Sequence, residues 1–309
     1  KAYLAISANE MPTLDDGELL DAMAAIAETD QRLAVHAENE EIVRRREQRA
    51  RDAGESEPVD HARSRPVVAE TEAISRVAAF ARDTDCPVAI VHTSTGAGAR
   101  IIADAKARDI DILGETAPHY LRFDESTLRE KGNAARINPP LRPAAERDQL
   151  WDVGVHGSGI DYLGTDHSPH SDSEKGAADY FQDTWAVNSG FVGLESALPA
   201  MHTFVADGRL SVERWVDLAS RAPARAWGLY PGKGSLRVGT DADLTIVDPT
   251  VNWTLDRVEL ESKSTTTPWD GEGFVGAVDT TIVRGTVVYK DDTVVAKPGH
   301  GMAVRSEGT

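Results

Sequence analysis

Short, almost wholly apolar runs recur along this chain, each followed by a stretch of helical period, and that alternation admits few folds. Residues 2–6, 33–35, 88–91, 110–113 and 161–164 read as strands. Residues 18–28, a charged segment ending near Arg51, residues 71–83 and residues 99–107 read as helices, with Ile74, Val77, Ala78 and Phe80 on or near one face. Strands that lack polar alternation are buried on both sides, which calls for a parallel sheet covered by helices, closed or open. Helices are expected again over 193–205 and 212–227. Beyond Tyr230-Pro231-Gly232-Lys233-Gly234 the pattern changes: residues 236–238, 244–247, 278–283 and 286–289 are β-rich with polar turns between them. A boundary at 232–234 divides the chain into residues 1–231 and a small β unit of 232–309.

Several of the apolar runs end in a residue that can bind a metal or titrate. The run 33–35 leads into His36, the run 88–91 into His92, and the run 161–164 through Thr165 into Asp166, with His167 next. A lone histidine at a strand end is usually a hydrogen-bonded structural residue. Three such placements, spaced by whole strand–helix units, shift the reading to a shared site, because parallel strands in a barrel bring their C-terminal ends to one mouth. Imidazole and carboxylate are the donors that suit Zn²⁺ or a similar cation. His119 follows the strand at 110–113 and falls near the same mouth. Asn138-Pro139-Pro140-Leu141-Arg142 is a stiff loop able to present an amide to a polar substrate, or a plain connection. Ser168-Pro169-His170 fixes His170 just past Asp166, and Ser189-Gly190 precedes a helix with backbone donors to offer.

Charge narrows the classes of partner. The formal net charge is −18, and 25 of the 33 basic residues are Arg against 8 Lys. Phosphate would be repelled over most of such a surface, which argues against nucleic acid. Carboxylate-rich, lysine-poor surfaces resemble those of proteins from salt-loving organisms, where ionic strength screens self-repulsion. The single cysteine, Cys86, excludes an internal disulfide framework or a cysteine-built metal cage. No apolar run is long enough for a spanning helix. With no leader in view, a cytoplasmic protein is expected.

Taken together these segments resemble the cyclic amidohydrolases: dihydroorotase, allantoinase, dihydropyrimidinase and hydantoinase. The matching pieces are Lys1-Ala2-Tyr3-Leu4, His36-Ala37-Glu38-Asn39, Ser64-Arg65-Pro66 with Glu70-Thr71-Glu72-Ala73-Ile74, and His92-Thr93-Ser94-Thr95. Residues 115–121, 138–142, 164–170 and 267–271 continue the match in the family's order. The resemblance implies an α/β fold, a (β/α)₈ metal-dependent hydrolase barrel with a β-sandwich partly built from the C-terminus. It implies a homo-oligomer, dimer or tetramer, acting on a small cyclic amide. It also implies two divalent metals, zinc by default, held by His36, His92 and Asp166, with Lys1 in the place of the lysine that CO₂ carbamoylates to bridge them. Asp166 would move the proton in hydrolysis. The family's His-x-His pair and its first strands have no counterpart here, so the sequence is expected to be a fragment.

For the substrate, Asn138 and His170 fill positions that help dihydroorotases hold a carboxylate, with Gly190 and Arg142 as further candidates; this places dihydroorotase ahead. His36–Asn39, Pro118-His119-Tyr120 and Asp179-Tyr180-Phe181 look more like allantoinase or hydantoinase. Two readings from other classes remain open: a catalytically inactive family member acting as a scaffold, and a mononuclear deaminase.

Overall fold

The computed structural model describes residues 1–7, 11–29 and 31–304. The chain forms two compact units, Lys1–Leu194 with Arg257–Pro268, and Glu195–Asp256 with the residues from Trp269 onward. The change from helix to strand that the sequence places at 232 lies inside the second unit.

The first unit is built on five parallel strands: β1 (Ala2–Tyr3), β2 (Leu33–His36), β3 (Val88–Ile90), β4 (Ile112–Thr116) and β5 (Tyr162–Leu163). They lie side by side in chain order, with Val35 level with Ala2 on one side and Ile90 on the other. Sequential parallel order with helical crossovers is how the wall of a (β/α)₈ barrel is laid down. Leu33, Val35, Val88, Ile90 and Ile112 are buried together. Against them pack α1 (Asp16–Ala27) through Leu19 and Met23, and α4 (Val67–Thr84) through Ala73, Ile74, Val77, Ala78 and Ala81. Burial at i, i+1, i+4, i+5 and i+8 is one face of a helix.

Capping explains where these helices start. The Asp15 side chain accepts from the Glu18 amide at 2.9 Å while Glu18 reaches back to the Asp15 amide at 3.0 Å, a reciprocal box that opens α1. Asn39 opens α2 (Glu40–Asp52) by accepting from the Ile42 amide, and Thr95 opens α5 (Gly96–Lys106) by accepting from that of Gly98. The sequence pattern passes over several short helices, because too few of their residues show a period; one of them, α3 (Pro58–Ser64), carries the buried His61.

The second unit contains a four-stranded antiparallel sheet in chain order: β6 (Leu244–Thr254), β7 (Gly273–Val283), β8 (Thr286–Lys290) and β9 (Thr293–Val294). Trp253 and Trp269 flank Phe274, with ring centroids 5.1 and 5.6 Å away. The expected strand at 236–238 is absent. Leu236 and Val238 are exposed, and the run lies between Gly234 and Gly239, both at positive φ, which leaves too little extended backbone to pair. The expected helix at 212–227 is there with one turn of wide spacing, Asp217–Arg221, just before Pro223. Proline has no N–H and its ring crowds the preceding turn, so the helix opens there. Among the described residues, no helix is long and apolar enough to cross a membrane.

Candidate active site

His36 is the last residue of β2 and His92 lies two residues beyond β3, so strand pairing brings the two rings together. Both are buried. His36 Nδ1 and His92 Nε2 are 3.1 Å apart, and the rings meet edge to face at 4.7 Å between centroids. Asp166 stands three residues past β5 at the same end of the sheet. His92 and Asp166 both hold left-handed backbone, at φ 41° and 46°, a conformation that costs energy for residues with a Cβ. Strain at two strand ends that carry the polar residues is what a site held in place by its surroundings displays.

The electrostatics follow from burial. His92 is pushed well below the usual imidazole range by burial, then by the charges of His36 and Lys1. Burial raises the Asp166 carboxyl, with Lys1 and His36 opposing. Glu115, on β4, is pushed up to about 7 by burial, against a hydrogen bond of 3.3 Å from the His92 amide. His119, in the short helix Pro118–Arg122, is held neutral by burial at about 3; its ring meets Phe191 edge to face at 5.1 Å, and its Nε2 is buried without a partner. Lys1 is exposed, its Nζ 5.0 Å from the Tyr3 ring centroid, so the burial expected to favour a carbamate is not seen around it.

Behind the two histidines runs a set of buried polar contacts whose pairing could not be read from the sequence. Glu38 Oε2 meets His36 Nε2 at 3.0 Å and Arg65 Nη1 at 2.5 Å. Arg142 donates to the Arg65 carbonyl, to Glu70 Oε2 at 2.7 Å and to Ser94 Oγ at 2.9 Å. Glu70 Oε1 accepts the amides of Ser94 at 2.9 Å and Thr95 at 3.3 Å, which fixes the turn that follows His92. Burial alone would raise the Glu38 carboxyl; the Arg65 guanidinium, then His36 and Arg142, outweigh it and hold it at about 2. One sequence signal pointed to Glu38: as residue i+2 from His36 it falls on the same side of an extended segment.

The residues expected to grip a carboxylate are engaged elsewhere. Asn138 Oδ1 accepts from His61 Nε2 at 2.8 Å and from Ser189 Oγ at 3.2 Å, and Asn138 Nδ2 donates to the Ser7 carbonyl. His170 Nε2 donates to the Ser189 carbonyl at 2.9 Å. The Gly190 amide donates to the Arg136 carbonyl at 2.9 Å, and at φ 122° a Cβ there would strike Ser168. Arg142 spends its donors on Glu70, Ser94 and Arg65. In this structure each of these groups is hydrogen-bonded within the chain.

Lys175 is fully buried, and its Nζ donates to the carbonyls of Asn188 at 3.0 Å and Arg136 at 3.3 Å. Burial, with help from the Arg136 charge, lowers its amine from 10.5 to about 7. Between those values the unfolded chain holds a proton that the folded chain has released, so stability rises with pH by about 1.4 kcal/mol per unit. Urea unfolding at pH 7, 8 and 9 should show that rise in the parent and not in Lys175→Met; parallel profiles would refute it.

Whether a cation suits the imidazole pair can be judged from the nitrogens. Two ligands about 2.0–2.1 Å from a tetrahedral Zn²⁺ lie roughly 3.3 Å apart. The observed 3.1 Å matches one cation shared by His36 and His92. Among the described residues, no group of three or more His, Cys, Asp and Glu side chains is gathered closely enough to hold a metal by itself.

Five parallel strands in sequential order, with polar residues beyond their C-terminal ends, form part of the wall of a (β/α)₈-type barrel. The chain belongs to the amidohydrolase family, whose family model matches residues 2–288. It is 39% identical over 301 residues to an allantoinase of Solibacter usitatus, covering 97% of this chain and 65% of that protein. It is 35% identical to an L-hydantoinase of Paenarthrobacter aurescens, covering 98% of this chain and 66% of that one. In structure it is similar to the L-hydantoinase (dihydropyrimidinase) of Arthrobacter aurescens, with a TM-score of 0.92 at 34% identity, covering 96% of this chain and 65% of that chain. For the D-hydantoinase (dihydropyrimidinase) of a Thermus species the TM-score is 0.91 at 30% identity, covering 97% and 66%. The chain thus spans about 65% of the length of the relatives it matches. These relatives correct the preference for dihydroorotase in favour of the allantoinase and hydantoinase group.

Proposed function

We propose that the protein hydrolyses an amide bond of a neutral five-membered cyclic ureide, with allantoin ahead of the simple hydantoins. The observation that carries the reading is the meeting of His36 Nδ1 and His92 Nε2 at 3.1 Å, at the strand ends where Asp166 also lies. The 39% identity to an allantoinase supports the ring.

His36 and His92 would hold one divalent cation, zinc by donor chemistry, and Asp166 would contribute to a second. Such cations, when bound, polarise the substrate carbonyl and make water acidic enough to attack at neutral pH. Asp166 accepts the proton of the attacking water on its carboxylate and returns it to the ring nitrogen as the C–N bond breaks. His119, neutral and unpartnered at Nε2, contributes a hydrogen bond to the ring.

The test is an assay of the zinc-loaded protein against allantoin, hydantoin, dihydrouracil and dihydroorotate, with metal content measured on the same sample. Turnover of allantoin with about two equivalents of zinc is expected. One equivalent of zinc without turnover of these ureides would favour a mononuclear deaminase, none with no turnover a scaffold, and preference for dihydroorotate would overturn the substrate choice.

A further inference from the structure

The two imidazoles are held in different ways. His36 is gripped by its side chain: Nε2 faces Glu38 Oε2 at 3.0 Å, and that same oxygen takes the Arg65 guanidinium at 2.5 Å. Arg65 is itself anchored on the Ile6 carbonyl at 2.6 Å. His92 has no such partner; its Nδ1 is buried with no hydrogen bond, and what fixes it is backbone, through Glu115 on its own amide and Glu70 on the next turn.

A carboxylate paired with a guanidinium only accepts. The nitrogen of His36 that faces Glu38 must therefore carry the ring proton, which leaves the lone pair on Nδ1, the nitrogen turned toward His92. We propose that Glu38 is a positioning residue: it fixes His36 as the Nε2–H tautomer and so keeps Nδ1 bare for a cation. This rests on the reading that the imidazole pair holds one. Carboxylates behind histidine ligands act this way in metal sites generally, setting the tautomer and raising the basicity of the ligating nitrogen. The arrangement makes His36 the preorganised member of the pair and leaves His92 to adjust. Glu38 Oε1 has no partner, so the whole of the grip runs through the shared Oε2.

Two variants separate charge from geometry. In Glu38→Gln the amide oxygen can take the shared position and accept from both Arg65 and His36, so the tautomer is kept with a weaker hold. In the double variant Glu38→Met with Arg65→Met, the pair is removed together, no charge is left buried alone, and the ring loses its acceptor.

The readout is the tautomer of His36 in the metal-free full chain, from long-range ¹H–¹⁵N correlations, alongside Zn²⁺ affinity by competition with a chelator. Parent and Glu38→Gln should show Nε2–H alone, and the double variant a measurable share of Nδ1–H. Zinc affinity should fall about 10-fold in Glu38→Gln and towards 100-fold in the double variant. A parent protonated at Nδ1, or a double variant with parental tautomer and affinity, would overturn the proposal even if it bound zinc. Conversely, His36→Ala binding Zn²⁺ as tightly as the parent would remove the cation reading while leaving the tautomer assignment standing. Because the parent's tautomer is decisive alone, the proposal is testable even if a variant fails to fold.

Discussion

Asp166→Asn should lower kcat on allantoin by 10²–10⁴-fold with little change in KM. The amide keeps the shape of the side chain but can neither take the proton of the attacking water nor return it to the ring nitrogen, and proton transfer of this kind is worth about that factor. Asparagine is the right replacement because the backbone at 166 is left-handed, with φ 46°. Asn tolerates that region as Asp does, whereas Ala would add backbone strain to the loss of the carboxyl. The variant should therefore unfold at the parental denaturant midpoint, which separates a chemical defect from a folding one. Steady-state kinetics on the metal-loaded protein decide it: a kcat within 5-fold of the parent would remove Asp166 from the chemistry.

How much of this could be read from residues alone depended on whether a feature had a period or a partner. The strands were legible because Leu33–Val35 and Val88–Val91 are apolar throughout, which only a doubly covered parallel sheet explains. The histidines were legible through their place at the ends of those runs. The supporting carboxylates were not: Glu38 and Glu70 are charged letters in charged surroundings, and only folding shows that both are buried and share an Arg65–Arg142 link. The contacts of Asn138 and His170 were hidden for the complementary reason: their partners, His61 at 77 residues' distance and Ser189 at 19, leave no trace in the local sequence. Leu236–Val238 failed differently, since three apolar residues between turn glycines look like a strand yet have nothing to pair with.

Arg142 gives the second large effect, and it distinguishes the two roles that residue could play. An arginine that binds substrate would, when removed, raise KM and leave stability alone. Here the guanidinium is buried beside Glu70, whose carboxylate also accepts the Ser94 and Thr95 amides. Truncation to Met strands that carboxylate without its counter-charge, and breaking a buried pair from one side costs about 3–5 kcal/mol. Removing both partners should not restore stability as it does for an isolated pair, because Glu70→Met orphans two buried amides, each worth about 1–3 kcal/mol. The expected ranking in urea unfolding is therefore parent above Arg142→Met, with the Glu70→Met, Arg142→Met double variant no better than the single. The folded fraction of Arg142→Met should keep its KM. A variant with parental stability and a KM raised 10-fold or more would return Arg142 to the substrate and undo the closed network that links the two histidine turns.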